Sequence, residues 1–211
     1  MIDRYLQPIM NTGLRPIARG LIARGVTADQ ITLAGFGVGL AAVLALAVNL
    51  PLIGLGLIAL NRILDGLDGA VARQSGPTDR GAFLDIAADF LFYALVPLGF
   101  AFADPAQNAL AAAILITAFV GTGSSFLAFA VIAAKQGRRA DDYPTKGIYY
   151  VGGLTEGAET IMVFAGMCLW PDRFATLAIL FSVLCAVTTA TRWHRGWHQL
   201  NSGPTTKRTS E

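Results

Sequence analysis

Long apolar runs alternate with short polar connections along the chain, and six runs can be marked: Ile31–Leu50, Pro51–Ala72, Gly81–Ala103, Asn108–Ala134, Gly147–Trp170 and Phe174–Arg192. Each approaches the roughly 20 apolar residues that a helix needs to cross a bilayer. Thr27 and Gln30 form a T-x-x-Q capping box ahead of the first run, so that span is expected to start near Thr27. Before it, Leu6, Ile9, Met10, Leu14, Ile17, Leu21 and Ile22 recur at helical spacing with Arg15, Arg19 and Arg24 between them. That pattern predicts a helix lying in the membrane interface, its arginines near anionic headgroups. A cytoplasmic helix packed on loops is the plainer alternative. Pro8 and Pro16 argue against one continuous straight helix.

Composition narrows the picture to a membrane setting. The 211 residues are 54% hydrophobic and 14% charged, with a mean hydropathy of +0.55, too apolar for a soluble domain with a wetted surface. Six spans leave no room for a separate soluble domain. The expected organisation is an interfacial helix over 1–26, a six-helix transmembrane domain over 27–197 and a cytoplasmic tail over 198–211. The first residues show neither an unbroken apolar core nor a small-residue cleavage site, so no cleaved signal peptide is expected. Cys168 and Cys185 lie in apolar runs and read as small buried hydrophobes rather than a disulfide or metal framework.

The formal net charge is only +2, so its distribution carries the information. Arg4, Arg15, Arg19 and Arg24 precede the first run, Arg73 and Arg80 fall in the 73–80 connection, and Lys135, Arg138, Arg139 and Lys146 in the next alternate one. Arg192, Arg195, Lys207 and Arg208 follow the last run, whereas the connections near Leu50 and Pro105 hold no basic residue. By the positive-inside rule both termini are expected in the cytoplasm.

Chemistry concentrates in NRILDGLDGAVARQSGPTDRGAFLDIAADF, which sets Asp65, Asp68, Asp85 and Asp89 at membrane or interfacial depth. A carboxylate there costs several kcal/mol unless paired, hydrated or cation-bound. Asp65 and Asp68 are three apart and Asp85 and Asp89 four apart, so each pair shares one helix face. A short basic turn joins the two helices, which are expected to run antiparallel as neighbours with the pairs facing each other. Arg73 and Arg80 alone cannot balance four carboxylates, and one or two hard divalent cations, Mg²⁺ or Mn²⁺, are the natural counter-charge. Asn61 and Arg62, one turn earlier, are placed to buttress Asp65. Gly66, Gly69, Ala70 and Ala72 remove bulk on the same helix. Close helix packing explains such small residues, but beside the aspartates room for a ligand is the better account.

The pattern Asp65-x-x-Asp68-Gly69-x-x-Ala72-Arg73, seven residues, then Gly81-x-x-x-Asp85-x-x-x-Asp89 resembles the signature of the CDP-alcohol phosphotransferase family. Many members carry eight residues where this chain has seven, a difference that a surface turn absorbs. The resemblance implies an all-α integral membrane protein with six transmembrane helices preceded by an N-terminal interfacial amphipathic helix. It also implies metal held by Asp65, Asp68, Asp85 and Asp89, with Asp89 as the base that takes the acceptor hydroxyl proton. Gly69, Ala72 and Gly81 would make room for the nucleotide and Arg73 would help place its diphosphate. The expected partners are a CDP-lipid donor, foremost CDP-diacylglycerol, a small polar alcohol, membrane lipids and a second copy in a homodimer, with no nucleic acid. Such an enzyme would sit in a bacterial inner membrane with its site facing the cytoplasm.

Glu156 and Glu159, in the fifth run, are candidates for an acceptor pocket, against a purely structural role bonded to neighbouring helices. Arg138 and Arg139, with Lys146, are candidates for binding an acceptor phosphate, although setting topology is the simpler reading. His194 and His198 read as interfacial rather than metal-binding. Two other classes stay open at this point: a transporter with a relay of intramembrane acids, and an inactive membrane scaffold.

Overall fold

A computed structural model describes residues 3–136 and 155–201, and helices dominate them. In chain order they are α1 (Asp3–Ala23), α2 (Ala28–Ala47), α3 (Pro51–Ser75), α4 (Asp79–Ala103), α5 (Pro105–Lys135), α6 (Gly157–Leu169) and α7 (Phe174–Asn201). Their starts follow local chemistry. The Gln30 N–H donates to Thr27 Oγ1 at 3.3 Å and the Thr27 N–H donates to Gln30 Oε1 at 3.1 Å, completing the expected capping box. Thr78 accepts from the Gly81 N–H at 3.0 Å and Asp104 from the Gln107 N–H at 3.1 Å. Pro51 and Pro105 occupy first turns, where a missing N–H costs nothing. Asn49, at φ 60°, makes the left-handed turn between α2 and α3, a conformation asparagine tolerates better than most residues.

Several expectations change here. α1 is one helix that runs through both Pro8 and Pro16. Pro16 is exposed, so the carbonyl it orphans one turn back lies on the outer face rather than in the core. Helices α2, α4 and α5 and the segment Pro171–His198 are long and apolar enough to cross a membrane. α3 has 25 residues, but Arg62, Asp65, Asp68 and Arg73 remove it from that class by composition alone. α6 has 13 residues, about 20 Å of helix, and residues 147–154 of the expected fifth run lie outside the described residues. α7 continues to Asn201, past the expected boundary at 197.

α2 is the hub of the bundle. It packs along both α3 and α4, α4 then contacts α5, α5 packs on α7, α6 touches α3 and α7, and α1 lies on α3. The expected facing of the aspartate pairs of α3 and α4 is present, with Asp65, Asp68 and Asp85 drawn together and Arg62 paired with Asp89, while α2 packs along both helices. Glycines let α2 come close. A Cβ on Gly39 would stand 2.8 Å from Phe92 Cδ2, and one on Gly99 would stand 2.9 Å from the Val43 carbonyl oxygen.

Leu46, Ile58, Phe92, Val96, Leu115, Phe164, Met167, Phe174 and Phe181 form the main core, which also takes in Cys168 and Cys185 as free thiols. Arg192, counted by sequence with the tail, is instead buried and donates from Nη1 to the Thr122 carbonyl at 2.9 Å, tying α7 to α5. Leu44, Leu52, Leu110, Val120, Val131 and Leu180 point outward, each more than half exposed. Helices apolar inside and out are suited to lipid, not water.

Replacing Gly99 with Ala should force α2 and α4 apart. A loss of about 1–3 kcal/mol is expected, read as a lower thermal unfolding midpoint in detergent, with Gly37→Ala, where a Cβ meets nothing within 4 Å, as the neutral control.

Candidate metal centre

With α2 packed along both α3 and α4, the side chains that these two helices turn toward each other border a cleft. Asp65 and Asp68 enter it from α3 and Asp85 from α4, and one carboxylate oxygen from each lies within 4.8 Å of the others. Thr32, Gly35 and Phe36 of α2 close its floor. The clear space between the walls is about 10 Å³, room for the centre of one ion or water but not for a nucleotide. Any larger substrate must therefore lie at the open mouth. Three acceptor-only oxygens, with no thiol or imidazole among them, form the donor set that a hard divalent cation prefers.

The cluster is held in place by its neighbours. Asp68 is only 5% exposed, and the Thr32 hydroxyl donates to its Oδ2 at 2.7 Å. Thr32 also lies 3.1 Å from the Ala28 carbonyl, but its single hydrogen is better spent on the shorter, charged partner. Its place on α2 makes Asp68 depend on the α2–α3 contact.

Asp89 lines the same cleft and has a close cationic partner of its own. Arg62 Nη2 donates to Asp89 Oδ1 at 2.8 Å, while its Nη1 is 3.6 Å from Asp65 Oδ2. Arg62 is itself fixed: Nε donates to Asn61 Oδ1 at 2.8 Å, Nη1 to the Tyr93 hydroxyl at 3.3 Å, and Asn61 Nδ2 to the Gly35 carbonyl at 2.8 Å. Its guanidinium carbon is 4.8 Å from the Phe92 ring centroid and 5.4 Å from that of Tyr93. The expected buttress of Asp65 by Arg62 is present, yet the shorter ion pair goes to Asp89. Asn61 supports Arg62 and the α2 backbone, not the carboxylate.

The expected nucleotide residues Gly69, Ala72, Arg73 and Gly81 are not among the residues that line the cleft itself, and Arg73 borders a separate recess with Arg15 and Arg19. Arg73 folds back over Gly69, where a Cβ would sit 3.0 Å from its Nη1. A Cβ on Gly81 would sit 3.0 Å from Asp29 Oδ1. Ala72 is half-buried beside them, whereas Ala70 is spent on packing against α1. Arg80 contributes nothing to the balance of the aspartate cluster in the contacts it makes. It binds Asp29 Oδ2 instead, at 2.6 Å from Nη2 and 3.1 Å from Nε, and so joins the start of α4 to the start of α2.

Glu156 and Glu159 meet at the first turn of α6, not in mid-span. The Glu156 N–H donates to Glu159 Oε2 at 3.2 Å, which makes Glu159 a partner of its own helix start, and neither residue lines the carboxylate cleft. Arg138, Arg139 and Lys146 lie outside the described residues. His194 and His198 contact each other edge to face, with ring centroids 4.6 Å apart. Thr32 and Tyr93 escaped the sequence reading. Each is one unremarkable residue in an apolar run, and only a partner on another helix gives it a role.

Comparison with known proteins agrees with this geometry. The family model for CDP-alcohol phosphatidyltransferase matches residues 25–193. The chain is 52% identical over 202 residues to inner membrane protein YnjF of Escherichia coli (strain K12), covering 96% of this chain and 98% of that one. It is 30% identical over 208 residues to archaetidylinositol phosphate synthase of Methanothermobacter thermautotrophicus, covering 95% and 96%. Among solved structures it is similar to the Mycobacterium tuberculosis phosphatidylinositol phosphate synthase PgsA1 with CDP-DAG bound, at TM-score 0.65 and 26% identity over 87% of this chain and 93% of that one. The same enzyme with manganese and citrate gives TM-score 0.66 at 26% identity, over 87% and 88%.

Thr32→Val preserves shape and removes the hydroxyl that orients Asp68. It should weaken Mn²⁺ binding roughly 10- to 100-fold, measured by titration of free Mn²⁺ with electron paramagnetic resonance. Unchanged affinity would show that Asp68 needs no such support.

Proposed function

This chain belongs to the CDP-alcohol phosphatidyltransferase family, and on that footing we propose that it transfers a phosphatidyl group from CDP-diacylglycerol to the hydroxyl of a small polar alcohol, releasing CMP. The observation that carries this reading is the convergence of Asp65, Asp68 and Asp85 within 4.8 Å on the walls of an open cleft.

In this reading Asp65, Asp68 and Asp85 would hold a divalent cation, Mg²⁺ or Mn²⁺, with Asp89 completing the site. The cation supplies charge neutralisation for the diphosphate oxygens and for the departing CMP. Gly69 and Ala72 leave the α3 backbone open to the nucleotide at the mouth, Arg73 reaches the diphosphate, and Gly81 lets the α4 start approach. Asp89 Oδ1 is engaged by Arg62, so its other oxygen receives the acceptor's proton. The acceptor oxygen then bonds to the lipid-side phosphorus as the bond from that phosphorus to the CMP oxygen breaks. Arg62 fixes the base at one rotamer and offsets one of the four carboxylates. Proximity and charge complementarity supply most of the acceleration, because this chemistry needs alignment and a stabilised leaving group.

The same reading sets the protein in a bacterial inner membrane with six spans, both termini and the cleft facing the cytoplasm, where nucleotides are found. Two relatives carry inositol phosphate synthesis in their names, which puts inositol phosphate first among acceptors to test, ahead of glycerol 3-phosphate and serine.

Purified protein given labelled CDP-diacylglycerol, Mn²⁺ or Mg²⁺ and this acceptor panel should release CMP. Asp89→Asn should lower the rate by about 10²–10⁴-fold while CDP still binds. No CMP with any acceptor, together with no binding of CDP, would overturn the assignment. In a second measurement, chelation of divalent ions should abolish turnover and re-addition of Mn²⁺ should restore it.

A further inference from the structure

A second polar feature lies on the other side of α3. Taking about 100° per residue, Ala70 and Gln74 lie about 200° and 240° around the helix from Asp68, away from the carboxylate cleft. With Arg73, and with Arg15 and Arg19 of α1, they line a recess of about 230 Å³. Helix packing creates it. Ala18 is fully buried and seats α1 against Ala70 and Val71. Arg15 and Arg19, one turn apart on α1 and both exposed, are thereby brought to the rim beside Arg73.

Three guanidinium groups, one carboxamide and one methyl group line this recess, with no carboxylate among the described lining residues. Like charges gathered in this way repel one another. A guanidinium presents its donors in the geometry that phosphate oxygens accept. Arg73 and Gln74 belong to the last turns of α3, where the apolar span ends. Ile17, 53% exposed, lies on the opposite flank of α1 from the two arginines. Thus α1 carries one basic and one apolar flank, as an interfacial helix does.

We propose that this recess is a binding site for the phosphate group of an anionic phospholipid in the cytoplasmic leaflet, separate from the carboxylate cleft. A soluble phosphate ester offers the same oxygens, but lipid phosphate is already present at the level where α3 leaves the apolar layer. Arg73 is shared with the proposed diphosphate site, so the test is placed on Arg15 and Arg19, which the transferase reading does not use, and the failure of one is distinguishable from that of the other.

The test uses the full chain in phosphatidylcholine bilayer discs with graded phosphatidylglycerol. Retained lipid is counted by native mass spectrometry, and binding of CDP and of free glycerol 3-phosphate is measured in parallel. The double variant Arg15→Gln/Arg19→Gln should retain phosphatidylglycerol roughly tenfold more weakly, with CDP affinity unchanged as evidence of an intact fold. Arg24→Gln, which removes a nearby basic charge outside the recess, should behave as the parent chain. Equal retention by the double variant overturns the proposal, and so does an equal loss from Arg24→Gln, which would mean diffuse attraction only. Loss of CDP or of glycerol 3-phosphate binding in the double variant, with lipid retention unchanged, would assign the recess to a soluble ligand and also overturn it.

Discussion

Negative charge gathered inside an apolar bundle is the constraint from which the rest of this structure follows. Asp65, Asp68, Asp85 and Asp89 lie on two helices whose other neighbours are largely aliphatic and aromatic, and a carboxylate in such surroundings is tolerated only when something positive or strongly donating meets it. Arg62 meets Asp89. Thr32 meets one oxygen of Asp68, and the remaining convergence of three carboxylates suits a divalent cation. The negative charge that is costly to fold is thus the same charge that suits the cleft to a divalent cation.

α2 sets the frame for that convergence. With α2 along both α3 and α4, at the close approaches of Gly39 to Phe92 and of Gly99 to Val43, the carboxylates face one another across a gap of ionic size. A gap that small has room for an ion and not for a nucleotide. Arg62 is over-determined by two rings, a carboxamide and a hydroxyl, a rigidity that holds its charge between Asp89 at 2.8 Å and Asp65 at 3.6 Å.

Around this centre the helix ends are tied together by contacts of a different kind. The exposed pair of Arg80 with Asp29 links the starts of α4 and α2, and such a surface pair contributes little to stability. Its effect is to hold Asp29 beside Gly81 at the approach to the cleft. On the far side of α3, α1 is seated by Ala18 on Ala70 and Val71. One helix therefore presents carboxylates on one face and supports a basic collar on the other.

The sequence by itself determined the helices and the chemical identity of the site. Apolar runs of spanning length, the Thr27–Gln30 box and prolines at first turns are local signals, and four aspartates at helical spacing beside small residues and an arginine form a pattern that does not wait for coordinates. Tertiary structure alone decided which groups meet. Spacing said that Asp85 and Asp89 share a face, but not that Asp89 would pair with Arg62 while Asp85 joins Asp65 and Asp68. It did not reveal that Arg80 would turn to Asp29, that Arg192 would be buried against α5, or that Thr32 would orient Asp68. The physical reason is that periodicity fixes the direction of a side chain relative to its own helix axis. The distance to a partner on another helix depends on how a third helix packs along both, and here that helix is α2.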